Sequence, residues 1–229
     1  ASAHTLQQQF DQSSAALTAG RFEEALRGFE AIEPRLAKQP EGLAVLRVRK
    51  GEALMRLGRD EEARTALRQG LAGLPAGAAN LREDWMLGHL ALGHLAERSL
   101  DYGEALKNYR AAEPLAVRPI DKALALRGIV QTGMFFDGRG ALADADRVIA
   151  LVNEAAPDNK YLIAQLRALR GRALLNLKGY KEAGEELGWA NSALGGLSLK
   201  ADAADLTTRG DMALAQLLLG NDEAARKYL

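Results

Sequence analysis

Histidines and carboxylates are the side chains in this sequence suited to metal binding or acid–base catalysis, and their spacing works against both. The histidines are His4, His89 and His94. A metal pair on a helix takes ligands at i and i+4, whereas the five-residue step from His89 to His94 turns them about 140° apart. No metal site is expected. Carboxylates come as neighbours, Glu23-Glu24, Glu61-Glu62 and Glu185-Glu186, and adjacent helical residues diverge by about 100°, which is unsuited to a catalytic pair. Their expected role is to face the positive amino-terminal dipole of the helices they open.

Other chemistry is equally sparse. The absence of cysteine excludes thiol nucleophiles, zinc–cysteine sites and disulfides, and fits a reducing or an oxidising compartment. There is no Gly-Lys dipeptide for a phosphate loop and no G-x-S-x-G elbow. Gly138-Arg139-Gly140 lacks the third glycine and the preceding strand of a dinucleotide fingerprint and reads as a turn. The residues imply no catalytic role and no cofactor. Thirty basic residues balance thirty acidic ones, so the long-range attraction used by nucleic-acid binders is missing. No apolar run approaches the roughly 20 residues needed to cross a bilayer; the best, Met212 to Leu219, is short and contains Gln216. The opening Ala1-Ser2-Ala3 has the small-x-small form of a secretory cleavage site and favours a periplasmic or exported origin over a cytoplasmic one.

The elements that carry these side chains emerge from an internal repeat. Arg21-Phe-Glu-Glu-Ala-Leu-Arg-Gly-Phe29, Arg59-Asp-Glu-Glu-Ala-Arg-Thr-Ala-Leu67 and Asp101-Tyr-Gly-Glu-Ala-Leu-Lys-Asn-Tyr109 are one pattern. Anchoring on its alanine gives Ala25, Ala63, Ala105, Ala145, Ala183 and Ala225, separated by 38, 42, 40, 38 and 42 residues. Four residues after each anchor comes a large apolar side chain: Phe29, Leu67, Tyr109, Ile149, Leu187 or Leu229. Twelve before it comes a small one: Ser13, Gly51, Gly93, Gly133, Gly171 or Ala213. Small residues let two helix backbones approach while the large residue fills the adjoining groove, so each unit is a helix hairpin. Gly20, Gly58, Gly138, Gly179 and Gly220 lie where the first helix of a hairpin should end. Pro75 and Pro157 follow second helices, which proline cannot continue. Met134, Phe135 and Phe136 form the densest apolar cluster, and the phenylalanines are expected in the core; Trp189 falls one place before a recurrent apolar position and is expected to be partly exposed.

From about Leu6 to Leu229 this skeleton of small residue, alanine and bulky residue resembles the tetratricopeptide (TPR) family. The resemblance implies an all-α, right-handed superhelical solenoid of about six helix-turn-helix repeats, 5–39, 40–79, 80–118, 119–157, 158–197 and 198–229, the last incomplete and followed by further native chain. The sequence departs from the family in its longer period and in the bulky aromatic that opens the first helix, replaced here by Gln9, Arg47, His89, Ile129, Arg167 and Arg209. The longer unit resembles degenerate repeats of bacterial sensor and regulatory proteins. In the family, partners lie in a concave groove lined by first helices; carrying its inward positions over gives Glu52, Arg56, His94, Arg98, Arg127, Met134, Gln165, Arg172 and Asn176. The set tilts basic, so a protein or peptide partner, with an acidic segment or a chain carboxylate held by arginine forks, is the expected guest. Phe10 and Ser14 stand where chaperone-binding members carry a carboxylate clamp, so that activity is not implied. The alternatives are a sensor module controlling an attached domain and, from the ending Leu217 to Leu229, the repeat region of an envelope energy-transducer protein.

Overall fold

The computed structural model describes residues 5–197 and 203–229. Among them every regular element is helical, and the helices pair in chain order: α1 (Leu6–Thr18) with α2 (Phe22–Ile32), α3 (Pro40–Arg56) with α4 (Asp60–Gly73), α5 (Arg82–Arg98) with α6 (Tyr102–Ala112), α7 (Pro119–Gly133) with α8 (Gly138–Ala155), α9 (Lys160–Asn176) with α10 (Tyr180–Leu197), and α11 (Ala203–Leu218) with α12 (Asp222–Arg226). Short 3₁₀ turns at Glu33–Leu36, Ala79–Leu81 and Glu113–Leu115 lead from one hairpin to the next. The hairpins gather into two compact units, residues 1–116 and 117–229. In the first, α3 packs on α2, α4 and α5; in the second, α9 packs on α8, α10, α7 and α11.

Local chemistry sets the helix ends. Thr5 and Gln8 form a reciprocal capping box at α1, and Asp101, Asp137 and Asn159 accept from the backbone N–H three residues on at α6, α8 and α9. Pro40 and Pro119 open α3 and α7, where a missing N–H costs nothing. Glu23 and Glu24, and Asp60, Glu61 and Glu62, lie in first turns as expected. Glu185 and Glu186 do not; they lie in the second turn of α10.

Five of the six hairpins close with the same three-residue turn. At the first, Gly20 N–H donates to Leu17 O and Arg21 N–H to Ala16 O, the two bonds of a Schellman cap. The middle residue is left-handed in all five: Gly20, Gly58 and Gly220, but also Leu100 at φ 62° and Lys178 at φ 64°. The expected turn glycine Gly179 therefore follows the left-handed position instead of occupying it.

The six repeat alanines are all buried. A Cβ built on Gly51 would lie 2.5 Å from Leu67 Cγ, one on Gly93 2.6 Å from Tyr109 Cε1, and one on Gly171 2.5 Å from Leu187 Cγ. The glycine is thus the hollow into which the bulky residue sixteen positions later fits. Full burial of each such side chain contributes about 1.5–3 kcal/mol.

Hairpin four departs from this register. Its turn, residues 134–137, is one residue longer and contains no left-handed residue. Counted from helix ends, Ala141 stands where the other alanines do, fourth in the second helix, and Gly128 stands where Gly51, Gly93 and Gly171 do. Ala145 then holds the place of the bulky residue, and Val148 is buried where Ile149 was expected. Leu229 is largely exposed.

Candidate functional site

The first helix of each hairpin turns its small residue toward the second helix, which leaves the positions one and five residues later on its other side. On α3 and α5 these are Glu52 and Arg56, and His94 and Arg98. Glu52 is half-buried; burial pushes its carboxyl above the ordinary value and Glu83 adds to the effect, while Arg49 and Arg56 pull the other way. Beside it Arg49 and Asp84 pair at 3.2 Å, joining α3 to α5, with burial again raising the acid against the arginine's pull. The Arg56 guanidinium lies 5.8 Å from the centre of the Phe22 ring. Arg98 donates to Met55 O at 3.1 Å and to Asp60 Oδ1 at 2.6 Å, fastening α5 to the α3–α4 turn.

His94 rests edge-on against the buried ring of Tyr109, with Nδ1 2.9 Å from the phenol oxygen, which in turn donates to Glu97 Oε2 at 2.5 Å. A hydroxyl has one proton, and here it goes to Glu97. His94 Nδ1 is therefore the donor to Tyr109, and in the neutral ring Nε2 holds the lone pair.

In the second unit Gln165, Arg172 and Asn176 lie along α9, the first two half-buried and the last exposed. Arg172 is engaged within the fold, donating from Nε to Asp211 Oδ2 at 2.9 Å and tying α9 to α11. Asp211 is raised by burial, against the pull of Arg172.

Two expected positions need correction. Met134 is 4% exposed and packs with Val130, Ala141, Ala145, Leu169 and Ala173 in the core. Arg127, counted from the end of α7, holds the place that Lys50 holds on α3, off the face that carries Glu52 and Arg56. Both errors share one cause: taking Gly133 instead of Gly128 as the small residue shifts the count by five, a rotation of about 140°. The phenylalanines are also reversed, with Phe135 58% and Phe136 63% exposed. Trp189 is partly exposed, and the Arg167 guanidinium sits 3.6 Å from its ring centre.

The sequence also held a signal that pattern reading missed. Where the family places an opening aromatic, four side chains here make polar latches: Gln9 accepts from Arg35 at 3.3 Å, Arg47 donates to Glu33 at 3.3 Å, His89 meets Asn108 at 3.0 Å, and Arg167 clasps Glu186 at 2.9 and 3.1 Å. The last two span nineteen residues each, a recurring separation between a first-helix donor and a second-helix acceptor.

No family model matches the chain, and no curated protein matches it. Solved structures do resemble it. A Podosopora anserina protein named for kinesin light chain, built of nearly identical TPR-like repeats, is similar with a TM-score of 0.63 at 15% identity, over 82% of this chain and 93% of that one. The apo form of RapI gives 0.66 at 16%, over 97% and 62%. NprR in complex with its cognate peptide NprX gives 0.61 at 15%, over 97% and 64%. The chain thus spans less than two thirds of RapI and NprR. The fold is that of TPR-like helical repeats.

Proposed function

We infer that the chain is a non-catalytic scaffold that holds a protein or peptide segment against its first-helix faces. The observation behind this reading is the recurrence of hydrogen-bonding side chains at the same offset from the packing glycines: Glu52 and Arg56, His94 and Arg98, Arg172 and Asn176. Each stands on a helix fixed by its hairpin partner, which lowers the ordering cost of binding. Structural likeness to NprR, solved with a peptide, is compatible with this role. Arg98 and Arg172 already hold Asp60 and Asp211, leaving Arg56 in the first unit and Asn176 in the second, both exposed, each to meet a guest on its own unit. An extended segment bearing carboxylates suits them.

The test is fluorescence anisotropy with labelled twelve-residue peptides of acidic, basic and neutral composition. The acidic set is expected to bind best, and Arg56→Glu with Asn176→Glu to weaken it about tenfold, equivalent to about 1.4 kcal/mol, with an unchanged circular dichroism spectrum. Equal binding of acidic and basic peptides, or no loss in the double variant, would reject the reading.

A further inference from the structure

Glu52 is a charged residue that the fold holds at a loss. Its side chain is half-buried on α3, yet among the described residues its carboxylate makes neither a hydrogen bond nor an ion pair. The two arginines that act on it stand beyond ion-pair distance. Arg49 is bound to Asp84 at 3.2 Å, and the Arg56 guanidinium lies 5.8 Å from the centre of the Phe22 ring, with no hydrogen-bond acceptor of its own among the described residues. Glu83 works against both, so burial prevails over them at Glu52. A glutamine of the same shape would rest there without that cost. What the acid adds is a charge whose partner the fold does not supply.

The surroundings give that missing partner a sign. Glu52, Glu83 and Asp84 act on one another and on Arg49 and Arg56, leaving one carboxylate in excess. All five lie in the first compact unit. A metal ion would need more ligands than one carboxylate offers, and among the described residues no three His, Cys, Asp or Glu side chains come together to hold one. An ammonium or guanidinium needs only the single acceptor.

We propose that Glu52 is the specificity-determining residue of the first-unit site, accepting a basic side chain of the guest while Arg56 takes a neighbouring carboxylate. This role rests on guests lying against the first-helix faces, and it adds what the first unit selects. Glu52 and Arg56 are four residues apart on one helix, which sets their Cβ atoms about 6 Å apart. Side chains at i and i+2 of an extended segment share one side at about the same spacing. The guest of this unit is therefore a segment of acidic character in which one basic residue stands two places from an acid.

Fluorescence anisotropy with the whole chain provides the test. Labelled twelve-residue acidic peptides carry lysine, or norleucine in its place, two residues before or two residues after a glutamate. Norleucine keeps the aliphatic stem and removes the charge. Lysine is expected to bind about tenfold more tightly than norleucine in at least one of the two orders, the worth of a hydrogen bond between charged groups. Glu52→Gln is expected to abolish that gain, with an unchanged circular dichroism spectrum and with the norleucine peptides bound as well as before or better. Glu83→Gln is expected to preserve the gain, because Glu83 is exposed and acts only as background charge. A gain that survives Glu52→Gln, a gain lost equally in Glu83→Gln, or no gain in either order overturns the role of Glu52 while leaving acidic binding through Arg56 standing. Failure of lysine and norleucine peptides alike removes the first-helix reading itself, and the role of Glu52 with it.

Discussion

Glu52 shows how a single residue on the proposed binding face is held in tension. Burial keeps its carboxyl above the ordinary value in spite of Arg49 and Arg56, so the folded chain retains a proton at pH values where the unfolded chain has lost it. Its contribution to stability therefore falls as pH rises from the unfolded to the folded value, and the cost is fully present at neutral pH. Glu52→Gln is expected to melt about 1–3 °C above the parent at pH 7, with the gap closing toward pH 4 as both side chains become neutral. Thermal unfolding across that range checks the sign, and a gap that widens in acid would refute the assignment. At this scale the sequence was legible where a residue's partner is its helix neighbour in the repeat, as with Gly51 and Leu67. It was not legible where side chains from different hairpins meet, as with Arg49 and Asp84 or Arg172 and Asp211, because nothing in local spacing brings those together.

At the scale of the element, the turns divide into a rule and its exception. The left-handed cap is used five times, and glycine fills it in three. Leu100 and Lys178 occupy it at a steric cost of about 1 kcal/mol, since their Cβ crowds the following carbonyl. Leu100→Gly and Lys178→Gly are each expected to raise the melting temperature by about 2–4 °C, less the extra freedom glycine gains in the unfolded chain. Calorimetry would settle the balance, and a lower melting temperature in both would show that the unfolded-state effect dominates. Existence and type of the helices were readable from periodicity, as were the capping positions of Gly20, Gly58 and Gly220. The fourth hairpin was misread because Ala141 and Ala145 lie one turn apart on the same helix face and either can serve as the repeat alanine. Only the longer turn distinguishes them, and a turn's length shows in structure before it shows in composition. Misplacing that alanine carried Met134 and Arg127 into the binding set and Phe135 and Phe136 into the core.

For the molecule as a whole, two compact units each built from stacked hairpins imply stability that is partitioned by neighbourhood. Gly51→Ala and Gly171→Ala place a methyl group against Leu67 and Leu187, an overpacking expected to cost about 1–3 kcal/mol in the unit that contains it. Hydrogen exchange read by mass spectrometry should show the first substitution loosening residues 5–116 more than the second unit, and the second doing the reverse. Equal loss of protection throughout would mean that the chain opens as one body. The hollow and its filling residue also sit only sixteen positions apart along the backbone. Such contacts close short loops, and chains dominated by them reach the native state quickly, in microseconds to milliseconds for small helical proteins. Any one of these glycines can therefore seed its own hairpin before its neighbours have formed, so assembly has several equivalent starting points and a defect in one slows that hairpin without halting the rest.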